Sequence, residues 1–577
     1  MDKPGTMVVS ERPAGKPVLR EGYYLDNFLT LIAFVVSRYA DILNEYEMDF
    51  VRRFGKLSIS AKRLYVRLIT RTGPVFRKDK IRYAEIGNVD DAIRELADDG
   101  FMEINPPGYT ESYLQCLTRE ELPGIVVGTD GSGRKNDVSR QKKSGMIEQA
   151  LREYSTGLDE RLFSKYMFLV PLDTGIIKVF FLLFFGNTGQ GLSEFIMEDI
   201  GVLRYEPYLL TDDDRLFSDR KVVEGILMLD EFTASLQEAI LNDDTGRILK
   251  SGEELVRMNL PAVLEQKRER RYNLIGRFCE RHRMWEAALR FYRLSTQLPA
   301  RERIARILEK LGRDTQALEV IHQIIRAPVN EEEKEFAELF LEKLKRKTGL
   351  EKRKVLRKKY EETVIRLPAV QGQRVEDTIL EYYRNSGFTG YFSENSLWTS
   401  LFGLACWDII FMPVPHVFFH PFQRGPVDLF TADFRVRRAD QLEERIRQIR
   451  DDPSWKDRML LRYREKYNTA NYLVAWKKFS YERVKMATEW IPSGHMADIF
   501  DRMATSLRDF SSGFPDLVLF SAEKRYLLLE VKGPGDQLRP NQKRWFDYFS
   551  EKGIPVGIAR LEYAEDYPVD GSLDTTG

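Results

Sequence analysis

Two carboxylates and a lysine lie close together near the C-terminal end of the sequence. Asp516 stands in "GFPDLVLF" (513–520), and Glu530 and Lys532 stand in "YLLLEVKGPGDQL" (526–538). The runs "LVLF" and "YLLLEV" are short, apolar and bounded by Gly, Pro and charged turn residues, which predicts two β-strands. Side chains two apart on a strand share a face. Glu530 and Lys532 therefore point the same way, and Val531 points into the core. If the "DLVLF" run pairs beside the second strand, Asp516 comes close to Glu530. Two carboxylates held together raise each other's pKa unless a cation intervenes, and burying them without one is costly. Mg²⁺ or Mn²⁺ suits such a site, because hard divalent ions choose oxygen ligands, and the Val531 carbonyl offers one more. Lys532 would then orient an attacking water or offset charge on a phosphate in the transition state.

Asp followed by Glu-x-Lys across a strand pair is the PD-(D/E)xK pattern of nucleases, complete here as "PD" and "EVK". The bare pattern is loose, and a structural Glu530–Lys532 ion pair reads identically. The context adds weight: two strand-like runs, Pro515 before the aspartate, a glycine turn after the lysine, and Gln542 on the next helix. The elements that must position these residues form an α/β unit in the last 200 residues. "YFSENSLWTSLFGLACWDIIFM" (391–412) reads as an amphipathic helix and "HPFQRGPVDLFTADFRVRR" (420–438) as a Pro-broken connector. The two strands, the helix "PNQKRWFDYFSEKG" and a strand "PVGIARL" follow.

A chain of 577 residues is too long for one core and predicts several domains. Its 89 basic and 89 acidic residues cancel, which argues against a uniformly basic nucleic-acid coat while leaving room for local basic surfaces. No apolar run approaches the roughly 20 residues that span a bilayer, and the first residues lack an apolar signal core, so a cytoplasmic setting is expected. Cys116, Cys279 and Cys406 are far apart and form no CxxC pair, which argues against a structural zinc or a disulfide frame.

Upstream of the α/β unit, residues 1–20 read as a flexible tail. Residues 21–108 read as helices followed by a small hairpin, a winged-helix-like module, with "SISAKRLYVRLITRTG" starting at a serine cap and "VDDAIRELADDG" ended by Gly100. The region 109–250 opens with a short helix and a Gly-rich basic loop, a SAP-like layout in which Arg134 and Lys135 are candidate DNA-backbone contacts. The alternative for that loop is a solvated surface. Apolar runs such as "IIKVFFLLFF" follow as buried elements. Residues 251–365 read as tetratricopeptide-like helices, with Ala288-Leu289 and Ala317-Leu318 placed alike and Trp285 and Tyr292 as packing positions. Basic runs at 266–271, 301–306 and 343–360 accompany them and point to a phosphate-binding surface, against the plainer reading of solvated faces. In "ARERIAR", Ile304, Ile307 and Leu308 fill the apolar positions, which leaves Arg301 and Arg303 to face outward.

With these motifs in view, the C-terminal block closely resembles the VRR nuclease domain of the Fanconi-associated nuclease family. The matching stretches are "GFTGYFSENSLWTSLFGLACWDIIF", "HPFQRGPVDLF", "GFPDLVLF" and "LLLEVKGPGDQL". The likeness continues upstream through the helical repeats, the SAP-like loop and "AKRLYVRL … AIRELADDGF", with 160–250 least distinctive, in a compact bacterial-type form. The resemblance implies an α+β multidomain fold: mostly helical N-terminal and tetratricopeptide-like parts, then an α/β PD-(D/E)xK (VRR) nuclease domain over 366–577. It implies metal-dependent cleavage of DNA near a 5′ end, as a 5′ flap endonuclease and 5′-to-3′ exonuclease of interstrand-crosslink repair. It also implies that Glu394 is a metal ligand with Asp516 and Glu530, that Gln542 is the helix glutamine of the motif, and that a basic pocket holds a 5′ phosphate, here assigned to Arg301 and Arg303. The protein would be cytoplasmic in a bacterium and nuclear in a eukaryote. A sequence-specific restriction-like endonuclease and a non-catalytic repeat scaffold are the alternatives. His416, His420 and His495 are scattered and lack ligand spacing. Asp536 and Arg539 either touch phosphate or form a solvated turn, and Glu376 reads as structural or as support behind the ligands.

Overall fold

The structure is a computed structural model and describes residues 21–71, 73–126, 142–153, 157–195, 203–211, 214–347, 349, 360–368 and 372–563. The tail 1–20 and most of the basic loop, including Arg134 and Lys135, lie outside the described residues. The chain divides into two units. One holds residues up to 204 together with 215–227, and the other holds 205–214 together with 228 onward.

In the first unit, helices Tyr23–Tyr39, Glu45–Lys56, Ile59–Ile69 and Val89–Asp98 form the winged module. Local chemistry sets their ends. The Ser58 hydroxyl accepts the Ala61 N–H, the Asn88 side chain caps Val89–Asp98, and Gly100 takes the left-handed conformation that closes it. Phe50, Phe54, Tyr65 and Phe101 pack ring against ring beneath them. The wing is a three-stranded antiparallel sheet of β1 (Phe76–Arg77), β2 (Met102–Ile104) and β3 (Phe168–Pro171), in the order β1-β3-β2. The hairpin expected within 21–108 is therefore corrected: its two strands do not pair with each other, and the middle strand arrives from the 109–250 region. β3 is buried throughout and hence unreadable by alternation. Helices Thr110–Gln115, Lys143–Glu153 and Leu158–Phe163 share a core of Tyr113, Leu114, Met146, Ala150 and Leu162.

In the second unit, helices Thr245–Arg257, Glu265–Arg281, Trp285–Arg293, Ala300–Lys310, Asp314–Arg326 and Glu331–Lys347 pack in succession. Ala288, Leu289, Tyr292 and Ala317 are buried as expected, whereas Leu318 and Trp285 are half-buried. Residues 205–214 belong to this unit: the Tyr208 ring stacks on Phe418 and its hydroxyl donates to the His420 carbonyl at 2.5 Å.

The nuclease sheet has five strands: β4 (Glu362–Leu367), β5 (Thr389–Phe392), β6 (Leu517–Phe520), β7 (Tyr526–Lys532) and β8 (Val556–Tyr563). Their order is β4-β8-β7-β6-β5, antiparallel from β5 through β6 to β7 and parallel from β7 through β8 to β4. β4 thus belongs to this sheet, and the boundary drawn at 365/366 cuts through it. One face, with Leu517, Leu519, Leu529 and Val531, packs on helix Val375–Asn385. The other, with Val518, Phe520 and Leu528, packs on the core that includes Trp398, Phe402, Trp545 and Phe549. The stretch expected as one amphipathic helix is instead strand β5, then helix Glu394–Ala405, then a break at Cys406. Leu397, Trp398, Leu401, Phe402 and Leu404 of that helix are all buried. The connector at 413–431 is held by buried polar groups. Gln423 bonds the backbone of Phe419, His420 and Val417, and the fully buried Arg438 bonds Asp428 at 2.9 Å and the Ile409 carbonyl at 3.1 Å.

Candidate active site

The β6–β7 register pairs Leu517 with Leu529, so Asp516, one residue before β6, faces Glu530. Both lie on the sheet face opposite Val531, which is buried in the other core. Glu530 is 1% exposed and Lys532 7%. Lys532 Nζ donates to Glu530 Oε1 at 2.8 Å and to Gln542 Oε1 at 3.3 Å, and Gln542 Nε2 donates to Glu530 Oε1 at 2.5 Å. The second oxygen of Glu530, Oε2, is buried and has no hydrogen-bond partner. Asp516 Oδ2 accepts the Val531 N–H at 2.9 Å. Burial first, and then the neighbouring Asp516 charge, push the Glu530 carboxyl up to about 7 against the pull of Lys532. Burial also raises Asp516, and the Glu376 and Glu394 carboxylates add to that rise, against the Val531 N–H and Lys532.

Glu394 opens its helix with φ +40, a conformation rare for a non-glycine residue. The helix begins at Glu394 itself, with Ser393 as the residue before it. The Ser393 and Glu394 N–H groups donate to the Asp516 carbonyl at 2.8 and 3.0 Å, which fixes the start of this helix on the aspartate. Asn395 Oδ1 accepts the N–H groups of Gly513 and Phe514 at 2.8 and 3.2 Å and holds the "GFPD" turn. Gly513, at φ +91, lies so close to the Asn541 backbone that a Cβ would stand 2.7 Å from it. Asp536 accepts the Gly533 N–H and closes the turn after Lys532.

The structure therefore brings together Asp516, Glu530, Val531, Lys532, Gln542 and Glu394. Glu376, read from the sequence as structural or as support behind the ligands, reaches Asp516 with its charge. Asn395 is the residue sequence reasoning missed; no spacing rule singles out an asparagine whose partners lie on a distant turn. Among the described residues no three carboxylate, His or Cys side chains stand close enough together to hold a metal ion as they are. The cation against Glu530 is Lys532. The donor set nonetheless fits a hard divalent ion, since it offers carboxylate oxygens and a buried Oε2 with no partner. The histidines take no part: His420 is buried and its imidazole lowered to about 3 by burial, and His495 bonds the Tyr526 hydroxyl at 2.8 Å.

The candidate phosphate contacts fare differently. Arg301 does not face outward. Its Nε and Nη2 grip the buried Glu333 at 2.9 and 2.5 Å, and Nη2 also reaches the Ala327 carbonyl. Arg303 is more open, 38% exposed, with Glu280 at 3.6 Å. Arg303 lines a cleft with Glu280, Glu302, Arg306, Glu309, Lys310, Phe340 and Lys343.

A mixed five-stranded sheet carrying Asp, Glu and Lys at one end, with a helix glutamine on the lysine, is the core of a restriction-like nuclease, here joined to a helical repeat. Family models agree: the FAN1 HTH domain matches residues 22–103 and the VRR-NUC domain matches 451–562. The Fanconi-associated nuclease 1 homolog of Pseudomonas aeruginosa is 31% identical over 569 residues, covering 96% of this chain and 98% of that protein. The homolog of Arabidopsis thaliana is 26% identical over 599 residues, covering 94% of this chain and 67% of that protein. The crystal structure of paFAN1 bound to 2nt 5′ flap DNA with gap superposes with a TM-score of 0.86 at 30% identity, over 95% of this chain and 99% of that one. This chain belongs to the Fanconi-associated nuclease 1 family. It is a structure-selective, metal-dependent DNA nuclease. Among the described residues no helix is long and apolar enough to cross a membrane.

Proposed function

We propose that this protein hydrolyses phosphodiester bonds near the 5′ end of branched DNA, as a 5′ flap endonuclease and 5′-to-3′ exonuclease of interstrand-crosslink repair, with Mg²⁺ or Mn²⁺ as cofactor and the cytoplasm as its setting. The observation that carries the site is the buried Glu530 Oε2, without a partner, opposite Asp516. The 5′ flap DNA on the similar paFAN1 structure supports the substrate class.

Asp516, Glu530, Glu394 and the Val531 carbonyl would hold the ion, which supplies Lewis-acid stabilisation of the phosphoryl oxygens and lowers the pKa of a bound water. The chain's own residues do the rest. Lys532, buried and held between Glu530 and Gln542, is a fixed positive charge at the phosphate. Gln542 also accepts the Arg539 N–H at 2.8 Å, so the glutamine that steadies Lys532 is itself steadied by the start of its helix. Asp516, fixed through its carbonyl and Oδ2, keeps its carboxylate facing Glu530. The winged module, completed by β3, and the SAP-like region with Arg134 and Lys135 would grip duplex backbone, and the repeat would seat a 5′ phosphate near Arg303. The nuclease domain is taken to begin by residue 361.

The test is cleavage of a labelled 5′ flap, a blunt duplex and a single strand, with and without Mg²⁺ or Mn²⁺. Preferential, metal-dependent incision of the flap is expected. Cutting set by base sequence would favour the restriction-like alternative, and binding with no incision would favour the scaffold.

A further inference from the structure

Helix Pro540–Lys552 touches the active site and the turn before Asp516 through three residues within its first turns. Gln542 bonds Glu530 and Lys532. The Asn541 backbone packs on Gly513. The Trp545 ring lies on Phe514, centroids 4.1 Å apart, and its Nε1 donates to the Ser512 carbonyl at 3.0 Å. Phe514 is two residues from Asp516, so the placement of this helix governs both the lysine and the aspartate.

The residue between these contacts, Arg544, faces the helical repeat. Its Nη1 donates to Glu335 of helix Glu331–Lys347 at 2.9 Å, with the arginine side chain 11% exposed and the glutamate 27%. Burial raises the Glu335 carboxyl, against the pull of Arg544. The Arg544 Nε is buried without a hydrogen-bond partner, and Glu335 is the carboxylate its guanidinium bonds. On the other flank Arg502 lies over the rings of Tyr548, Phe510 and Trp545 at 4.3, 4.6 and 5.3 Å.

We propose that Glu335 and Arg544 are positioning residues for DNA hydrolysis, the pair through which the helical repeat sets the helix that carries Gln542 and Trp545. The proposal rests on the active-site reading above. A helix displaced by a fraction of its pitch leaves DNA-binding surfaces intact but misplaces Lys532 and Asp516, and misplacement near 1 Å is enough to cost about a hundredfold in rate. Removing one partner of this half-buried pair leaves the other charge without its counter-ion, so the helix is expected to shift rather than stay.

The experiment uses the full chain and 5′ flap DNA. Single-turnover cleavage in Mn²⁺ and DNA affinity in EDTA are measured for Arg544→Gln, the milder Glu335→Gln, and the exchange Glu335→Arg with Arg544→Glu. Glu331 near position 335 and Arg502 near position 544 favour the exchanged charges. We expect each single variant to cut about tenfold to a hundredfold more slowly with Kd within about twofold, and the exchange to recover at least about tenfold. Asp408→Asn, which breaks a pair with Arg445 and Arg462 in the same domain, reports general loss of stability. It should lower Tm and leave the rate unchanged. A wild-type rate in Arg544→Gln overturns the proposal, as does an equal slowing in Asp408→Asn. Asp516→Asn run in parallel separates the two readings. If it is inactive while Arg544→Gln is normal, only the positioning role falls. If it cuts DNA, the site assignment falls and the positioning role with it.

Discussion

Between Arg301 and Lys347 of the helical repeat, several cations meet carboxylates directly. Arg301 takes Glu333, Arg306 takes Glu302, Arg313 takes Glu286, Lys343 takes Glu309 and Lys347 takes Asp314. At the end of β6 and β7, the buried Glu530 and the half-buried Asp516 face one lysine, and Glu530 Oε2 has no hydrogen-bond partner. Those five pairs satisfy one another and leave little of their charge for a ligand. The site at the strand ends is incomplete and calls for a further cation. A charge run thus says little about function until its partners are known, whereas an imbalance inside a core says a great deal.

The comparison breaks most visibly if the unbalanced site is removed. Asp516→Ala or Glu530→Gln should reduce cleavage about 10³-fold or more while DNA affinity persists, because the basic surfaces lie elsewhere. Flap incision and filter binding on the same preparations check this; wild-type cutting by either variant would mean that the site is misassigned. Lys532→Ala comes next. Loss of one transition-state electrostatic contact typically costs about 10²–10³ in rate, and here Glu530 also loses its cation. An unchanged single-turnover rate would take the lysine out of the mechanism.

How legible each region is in the sequence follows from the same contrast. Strand parity alone predicts that Glu530 and Lys532 share a face, and the two apolar runs predict the pairing that sets Asp516 opposite Glu530, as the register of Leu517 with Leu529 bears out. These are local patterns with one long-range step. The fate of Arg301 depends on Glu333, two helices away, and helical periodicity says nothing about which neighbour's carboxylate arrives. β3 is a fully buried run with no alternation, so its place in the wing could not be read, and β4 lay across a boundary drawn from composition.

Arg301 then sharpens the contrast by failing to behave as a ligand contact. Arg301→Ala strands the buried Glu333, and breaking a buried pair in this way costs roughly 3–5 kcal/mol. Thermal unfolding should show a clear fall in Tm, with the preference for a 5′ phosphate unchanged below it. Loss of that preference without loss of stability would restore Arg301 as an anchor.

The smallest effect is expected at Arg303. Its guanidinium is 38% exposed, and its 3.6 Å approach to Glu280 is too long for a hydrogen bond, so a planar fork remains to grip two phosphate oxygens. The cleft around it holds four cations, Arg303, Arg306, Lys310 and Lys343, against three carboxylates, Glu280, Glu302 and Glu309. An excess of one charge attracts a terminal phosphate only weakly, and Arg303 supplies that excess. Arg303→Ala should therefore narrow the difference in cutting between 5′-phosphate and 5′-hydroxyl flaps, and flatten the salt dependence of binding by about 0.9 of a log–log unit or less, the share of one phosphate contact. Binding isotherms at several salt concentrations on both flaps measure this. A wild type that treats the two ends alike would mean the repeat holds no terminal phosphate. A phosphate preference that survives in Arg303→Ala would move the anchor off this cleft, and the basic stretch 266–271 would be the next place to test.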